Sequence, residues 1–273
     1  MSGTPFIGLY PFQWIALIAA WLTLLLVADA LAGHYRSGFA FRAQYAPFVS
    51  GGLLIICAVA ASLLPRVAWL NIALRTAGWL AVVSSVIGLG FHHYYGIAKK
   101  PGGYRWLLHH LMYGAPQFAP LALTSTGLLS LIAARGLTGK TDFAGFSLRA
   151  ALFCLVSVGL TGASLQAGIL HYRGAFNNPA MYAPLTVPLV AAFASAFMVF
   201  AAESKALLLT LPVLLWLTFL IGFVGLGMHL RGFGRQMGGL YLVLFNWLEG
   251  PPAFAPAFFI GFAAVGLAAV YLL

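Results

Sequence analysis

The chain has 273 residues, 62% of them hydrophobic and only 7% charged, whereas a soluble domain carries about 25% charged residues. That composition excludes a soluble enzyme and predicts an integral membrane protein with almost no extramembrane domain. The formal charge of +10 comes from fourteen Lys and Arg against four Asp and Glu. The basic residues are scattered near the ends of apolar runs, as Arg66, Arg75, Arg135, Arg149 and Lys205 show. There they snorkel toward anionic lipid, and the charge is read as a lipid-bilayer signal with no nucleic-acid partner.

Apolar runs fall at 12–33, 47–64, 70–91, 116–134, 149–170, 184–202, 206–228 and 252–273. Each is close to the ~20 residues a spanning helix needs. The expected fold is therefore an all-α integral membrane protein of eight transmembrane helices. No basic segment precedes the first run, so it reads as a retained span and not a cleaved signal, despite Ala28-Asp29-Ala30. Cys57 and Cys154 sit in separate apolar runs with no metal or redox spacing and read as small core residues.

The chain repeats itself. His34–Pro47 reads HYRSGFAFRAQYAP and His171–Pro184 reads HYRGAFNNPAMYAP, identical at eight of fourteen positions and 137 residues apart. At the same offset Gly88–His92 (GLGFH) recurs as Gly225–His229 (GLGMH), and after one deletion Ala115–Pro120 (APQFAP) recurs as Pro251–Pro256 (PPAFAP). This predicts a tandem duplication, with residues 1–136 and 137–273 as two four-span repeats forming one membrane domain. Four spans is an even number, so the copies enter the membrane in the same direction, related by a parallel pseudo-two-fold axis.

With eight spans, His34, His92, His93, His109, His110, His171 and His229 all fall at odd-numbered connections, on one membrane surface. Lys and Arg divide eight to six between the surfaces, too even a split to orient the chain. His34, His92, His171 and His229 form a set matched by the repeat. Imidazoles at such positions can ligate haem iron or another metal, or hydrogen-bond a quinone carbonyl, or simply lie at the interface. In an up-down bundle alternate spans are diagonal, which predicts that His34 faces His92 and His171 faces His229. Adjacent pairs such as His92-His93 and His109-His110, with Met112, Met181 and Met228 nearby, are a weaker copper pattern because neighbours on a helix point ~100° apart.

Arg36 and Arg173 follow the matched histidines by two residues and are candidates to hold propionates or phosphates. Asp29, inside the first span, and Glu249, expected at the start of the eighth, are candidate proton-handling residues. Gly103–Tyr113 and Gly239–Glu249 are apolar, aromatic and too short to span, so they are expected as interfacial helices lidding an amphipathic pocket in the third and seventh connections.

No nucleotide-binding loop, zinc-protease helix or nucleophile elbow is present. By architecture alone, eight spans in paired four-helix bundles resemble the quinone-reacting anchor subunits of respiratory oxidoreductases. The one-sided histidine set, the aromatic lids and the near absence of a soluble domain point to a membrane subunit of a respiratory-type electron-transfer complex, expected in a bacterial-type inner membrane. It would bind quinone or haem b at the histidine-bearing surface and dock other protein subunits there. The competing readings are a channel or transporter with its pathway along the pseudo-symmetry axis, and a structural assembly subunit. The channel needs polar residues along whole spans, and the sequence offers few beyond Asp29, Ser84, Ser85, Ser164 and Gln166.

Overall fold

A computed structural model describes residues 5–201, 203–250, 252–271 and 273. The long helices are α1 (Pro11–Arg36), α2 (Ala46–Leu63), α3 (Ala68–His93), α5 (Ala119–Leu137), α6 (Leu148–Arg173), α7 (Val187–Phe200), α8 (Lys205–Phe233) and α10 (Ala257–Tyr271), with short α4 (Leu107–Tyr113) and α9 (Val243–Glu249) between them. A two-stranded hairpin, β1 (Asp142–Phe143) with β2 (Phe146–Ser147), joins α5 to α6. Among the described residues, seven helical segments are long and apolar enough to cross a bilayer. The last, α10, has 15 residues, about 22 Å of helix against a hydrocarbon core of ~30 Å. Pro252 and Pro256 delay its start relative to the apolar run that begins at residue 252.

Two rings of helices pack side by side. In one, α1 contacts α2 and α5, and α3 contacts α2 and α5; in the other, α6 contacts α7 and α10, and α8 contacts α7 and α10. The rings meet where α1 touches α10 and α5 touches α6. Glycines permit the closest approaches. A Cβ on Gly261 of α10 would lie 2.4 Å from the Leu22 side chain of α1, and one on Gly127 of α5 would lie 2.8 Å from the Gly78 carbonyl of α3. Small residues at such crossings let helices associate where lipid removes the hydrophobic driving force.

The outward faces carry Ile56, Ile72, Val83, Ile87, Leu165, Phe193, Leu209 and Val224, all more than half exposed. An apolar surface of that extent matches a bilayer as solvent. Hydroxyls inside the helices are consumed internally: Ser84 of α3 donates to Ser50 of α2 at 2.9 Å, Ser85 bonds Thr124 of α5 at 2.7 Å and the Pro120 carbonyl, and Thr23 donates back to Ala19 O. At the end of the bundle away from the histidines, Gln13 donates to Ser62 O at 2.6 Å and Ser62 returns a bond to Gln13 O at 3.0 Å.

Candidate functional site

Each of the repeated HYR segments ends a helix and turns the chain back over its own histidine. After α1, Gly38 and Phe39 adopt left-handed φ of 66° and 48°; after α6, Ala175 and Phe176 adopt 54° and 47°. A left-handed pair reverses the chain and closes the helix end. The N–H groups of Phe39 and Phe176 then bond to His34 O and His171 O, both at 3.1 Å. Phe39 stacks on Tyr45 at 4.9 Å and Phe176 on Tyr182 at 4.4 Å. Their rings lie 6.2 Å from those of His34 and His171, respectively. A non-glycine residue held at positive φ is costly, and such costs gather where function requires a fixed geometry.

His34 reaches across its ring of helices to His92 and His171 reaches to His229, with imidazole centroids 6.3 Å and 6.5 Å apart and planes 78° and 60° apart. All four histidines are partly buried. Three Nδ1 atoms lie on backbone carbonyls: His92 on Pro116 O at 2.9 Å, His171 on Met181 O at 2.7 Å and His229 on Pro252 O at 3.0 Å. A carbonyl only accepts, so these nitrogens carry the proton and each Nε2 keeps its lone pair. His34 differs. Gln44 Oε1 accepts from the Phe41 N–H at 3.0 Å, so its amide nitrogen faces His34 Nδ1 at 3.2 Å and Ser37 Oγ at 2.7 Å. This network assigns the His34 proton to Nε2.

The two pairs therefore differ in chemistry. His171 with His229 offers two Nε2 lone pairs, on rings whose centroids lie 6.5 Å apart. A backbone carbonyl behind each ring is the usual support of a ligating histidine. Two imidazole nitrogens are the donor type that haem b takes from a protein. His34 with His92 offers one donor and one acceptor, the complement of a hydroquinone hydroxyl; a quinone carbonyl would use the donor alone. Among the described residues no cluster of three or more His, Cys, Asp or Glu is arranged to hold a metal ion.

Arg36 and Arg173 bind neither pair. Arg36 donates to Gly250 O at 3.1 Å, and Arg173 donates to Gly114 O at 2.8 Å and to Met112 O. Gly114 ends α4 and Gly250 ends α9, so each arginine clasps the short helix of the opposite half. A Cβ on Gly114 would lie 2.4 Å from His110 O and one on Gly250 2.2 Å from Asn246 O, which explains glycine at both. Each short helix also starts from a left-handed glycine pair, Gly102-Gly103 and Gly238-Gly239.

Asp29 sits partly buried on α1, and its Oδ1 accepts the Phe254 N–H at 3.4 Å just before α10. It therefore ties the two halves together and does not meet His34. Glu249 closes α9 instead of opening a span, and its side chain is exposed. The adjacent pairs do not act as units: His93 Nε2 pairs with Tyr104 OH at 2.7 Å while its neighbour His92 faces Pro116. His110 is buried, 8% exposed, with an unpartnered Nε2. Asn246, its counterpart, donates to Gly239 O at 2.9 Å and Phe233 O at 3.3 Å, stapling α9 to α8. A scan against protein-family models and searches of curated proteins and of solved structures give no match.

Proposed function

We propose that this chain is the membrane subunit of an electron-transfer complex, a duplicated four-span unit with α10 as its eighth span. It binds haem b or a quinone at the histidine-bearing end and docks a redox partner there. The observation that carries this reading is the matched pairing of His34 with His92 and His171 with His229. An interfacial role alone needs only a polar tip in the headgroups, whereas here three imidazoles are anchored from behind by carbonyls and all four are turned toward a partner. His171 and His229 are the residues to hold haem b, which would supply a one-electron carrier. His34 is the residue to donate to a quinone oxygen, and His92 the one to accept from the corresponding hydroquinone hydroxyl. Asp29, held between the halves, remains a candidate for moving a proton toward that end.

Packing disfavours a channel along the pseudo-symmetry axis. Leu22, Gly261, Phe153, Gly159 and Phe262 fill the contacts among α1, α6 and α10, and Ser84 and Ser85 spend their hydroxyls on neighbouring helices. The test is a dithionite-reduced minus oxidised visible spectrum of the protein purified in mild detergent. A Soret band with a sharp reduced α band is the expected result; a protein with neither chromophore nor extractable quinone would refute the reading.

A further inference from the structure

A cavity of about 520 Å³ lies beneath α4, between the ends of α3 and the start of α5. Its walls are mainly apolar, with Leu89, Leu107, Leu111 and Phe118 among them, and two polar side chains face it, His93 and Gln117. Gln117 is only 5% exposed; its amide nitrogen is spent on Ala115 O at 3.1 Å, and its buried Oε1 has no partner. An orphaned acceptor in such surroundings is unfavourable unless something donates to it. The backbone is shaped around this amide. Residues Tyr94–Ala98 form a π-type turn, the kind of helix irregularity that recurs at functional sites, and a Cβ on Gly96 would fall 2.1 Å from Gln117 Nε2. At the matched places in the second half stand Leu230 for His93 and Ala253 for Gln117. The polar pair is thus a property of the first half alone.

We propose that this cavity takes the ring of a hydroquinone, the Gln117 side chain turning its enclosed Oε1 toward the cavity to accept from one hydroxyl beside the His93–Tyr104 pair, with the apolar tail leaving along Leu107 and Phe118. The proposal rests on the electron-transfer reading and adds to it a second hydroquinone site, apart from the His34–His92 pair. Gln117 is one residue from Pro116, whose carbonyl anchors His92, so a ligand here is coupled through the backbone to the first histidine pair. A hydroxyl donor is required because the free atom is an acceptor; a chain lacking one leaves the amide unsatisfied.

The experiment is direct binding of decyl-hydroquinone to the purified full chain in detergent, with decylbenzene as the comparison lacking hydroxyls. Gln117→Ala and His93→Leu, each installing the residue found at the matched position, are expected to weaken hydroquinone binding at least tenfold, whereas Leu230→Ala leaves it unchanged. Gly96→Ala, which displaces the amide without removing it, is expected to weaken it as well. Equal affinity in wild type, Gln117→Ala and His93→Leu, or decylbenzene binding as tightly as decyl-hydroquinone, would overturn the proposal. If hydroquinone binds as expected but reduces no chromophore in the protein, the cavity assignment stands and the electron-transfer reading falls.

Discussion

On the proposed haem assignment, replacing His229 with Ala is expected to abolish haem absorbance from the second histidine pair, because it removes one of the two imidazoles, whose ring centroids lie 6.5 Å apart. His171→Ala has the same result. In the first pair the consequence differs, since His34 holds its proton on Nε2. His92→Ala is expected to raise the quinone concentration needed for half-maximal reduction by at least tenfold, about 1.4 kcal/mol of binding. Gln44→Leu removes the donor that sets the His34 tautomer, leaves His34 free to turn its lone pair inward, and is expected to shift that concentration while sparing the second-pair absorbance. Pyridine haemochrome assays and quinol titrations on the same preparations read both effects.

Arg173→Ala should free α4. The guanidinium bridges Met112 O and Gly114 O across the join between halves. Hydrogen bonds from a charged donor contribute about 1.5–3 kcal/mol when shielded, and less at this exposed site, where solvent screens them. Amide exchange over residues 107–113 is therefore expected to accelerate about tenfold, near 1.4 kcal/mol, with α9 little changed; Arg36→Ala should loosen α9 and spare α4. Arg173→Lys keeps the charge but loses the planar fork, and should recover only part of the protection. Equal exchange in all three variants would mean that packing alone holds the short helices.

The repeat makes the placement and pairing of the four histidines legible in the sequence. The matched HYR segments, the GLG-x-His endings and the paired prolines located the histidines at one end of the bundle, and diagonal packing in an up-down bundle anticipated which would face which. The clasps are not legible: the sequence suggests Arg36 and Arg173 as anion holders because it shows what lies near a residue along the chain, whereas their partners are 214 and 59 residues away. The two glycines closing the short helices were the available signal, since both recur at the matched place. The tautomer difference was hidden for another reason. Gln44 and Met181 occupy equivalent positions in the repeat, but one acts through its side chain and the other through its backbone carbonyl. Glu249 ends α9, eight residues before α10 begins at Ala257, so the sequence's suggestion that it opens the eighth span does not hold.

Low-temperature electron paramagnetic resonance of the oxidised protein tests the central claim most directly, because it reports both ligands of a haem and the angle between them. Imidazole planes 60° apart in the His171–His229 pair predict a low-spin ferric signal of large anisotropy that disappears in His171→Ala and His229→Ala and persists in His93→Ala. A spectrum with no ferric signal, or a signal unchanged by loss of either histidine, would contradict the assignment of this pair as the ligands of a redox centre.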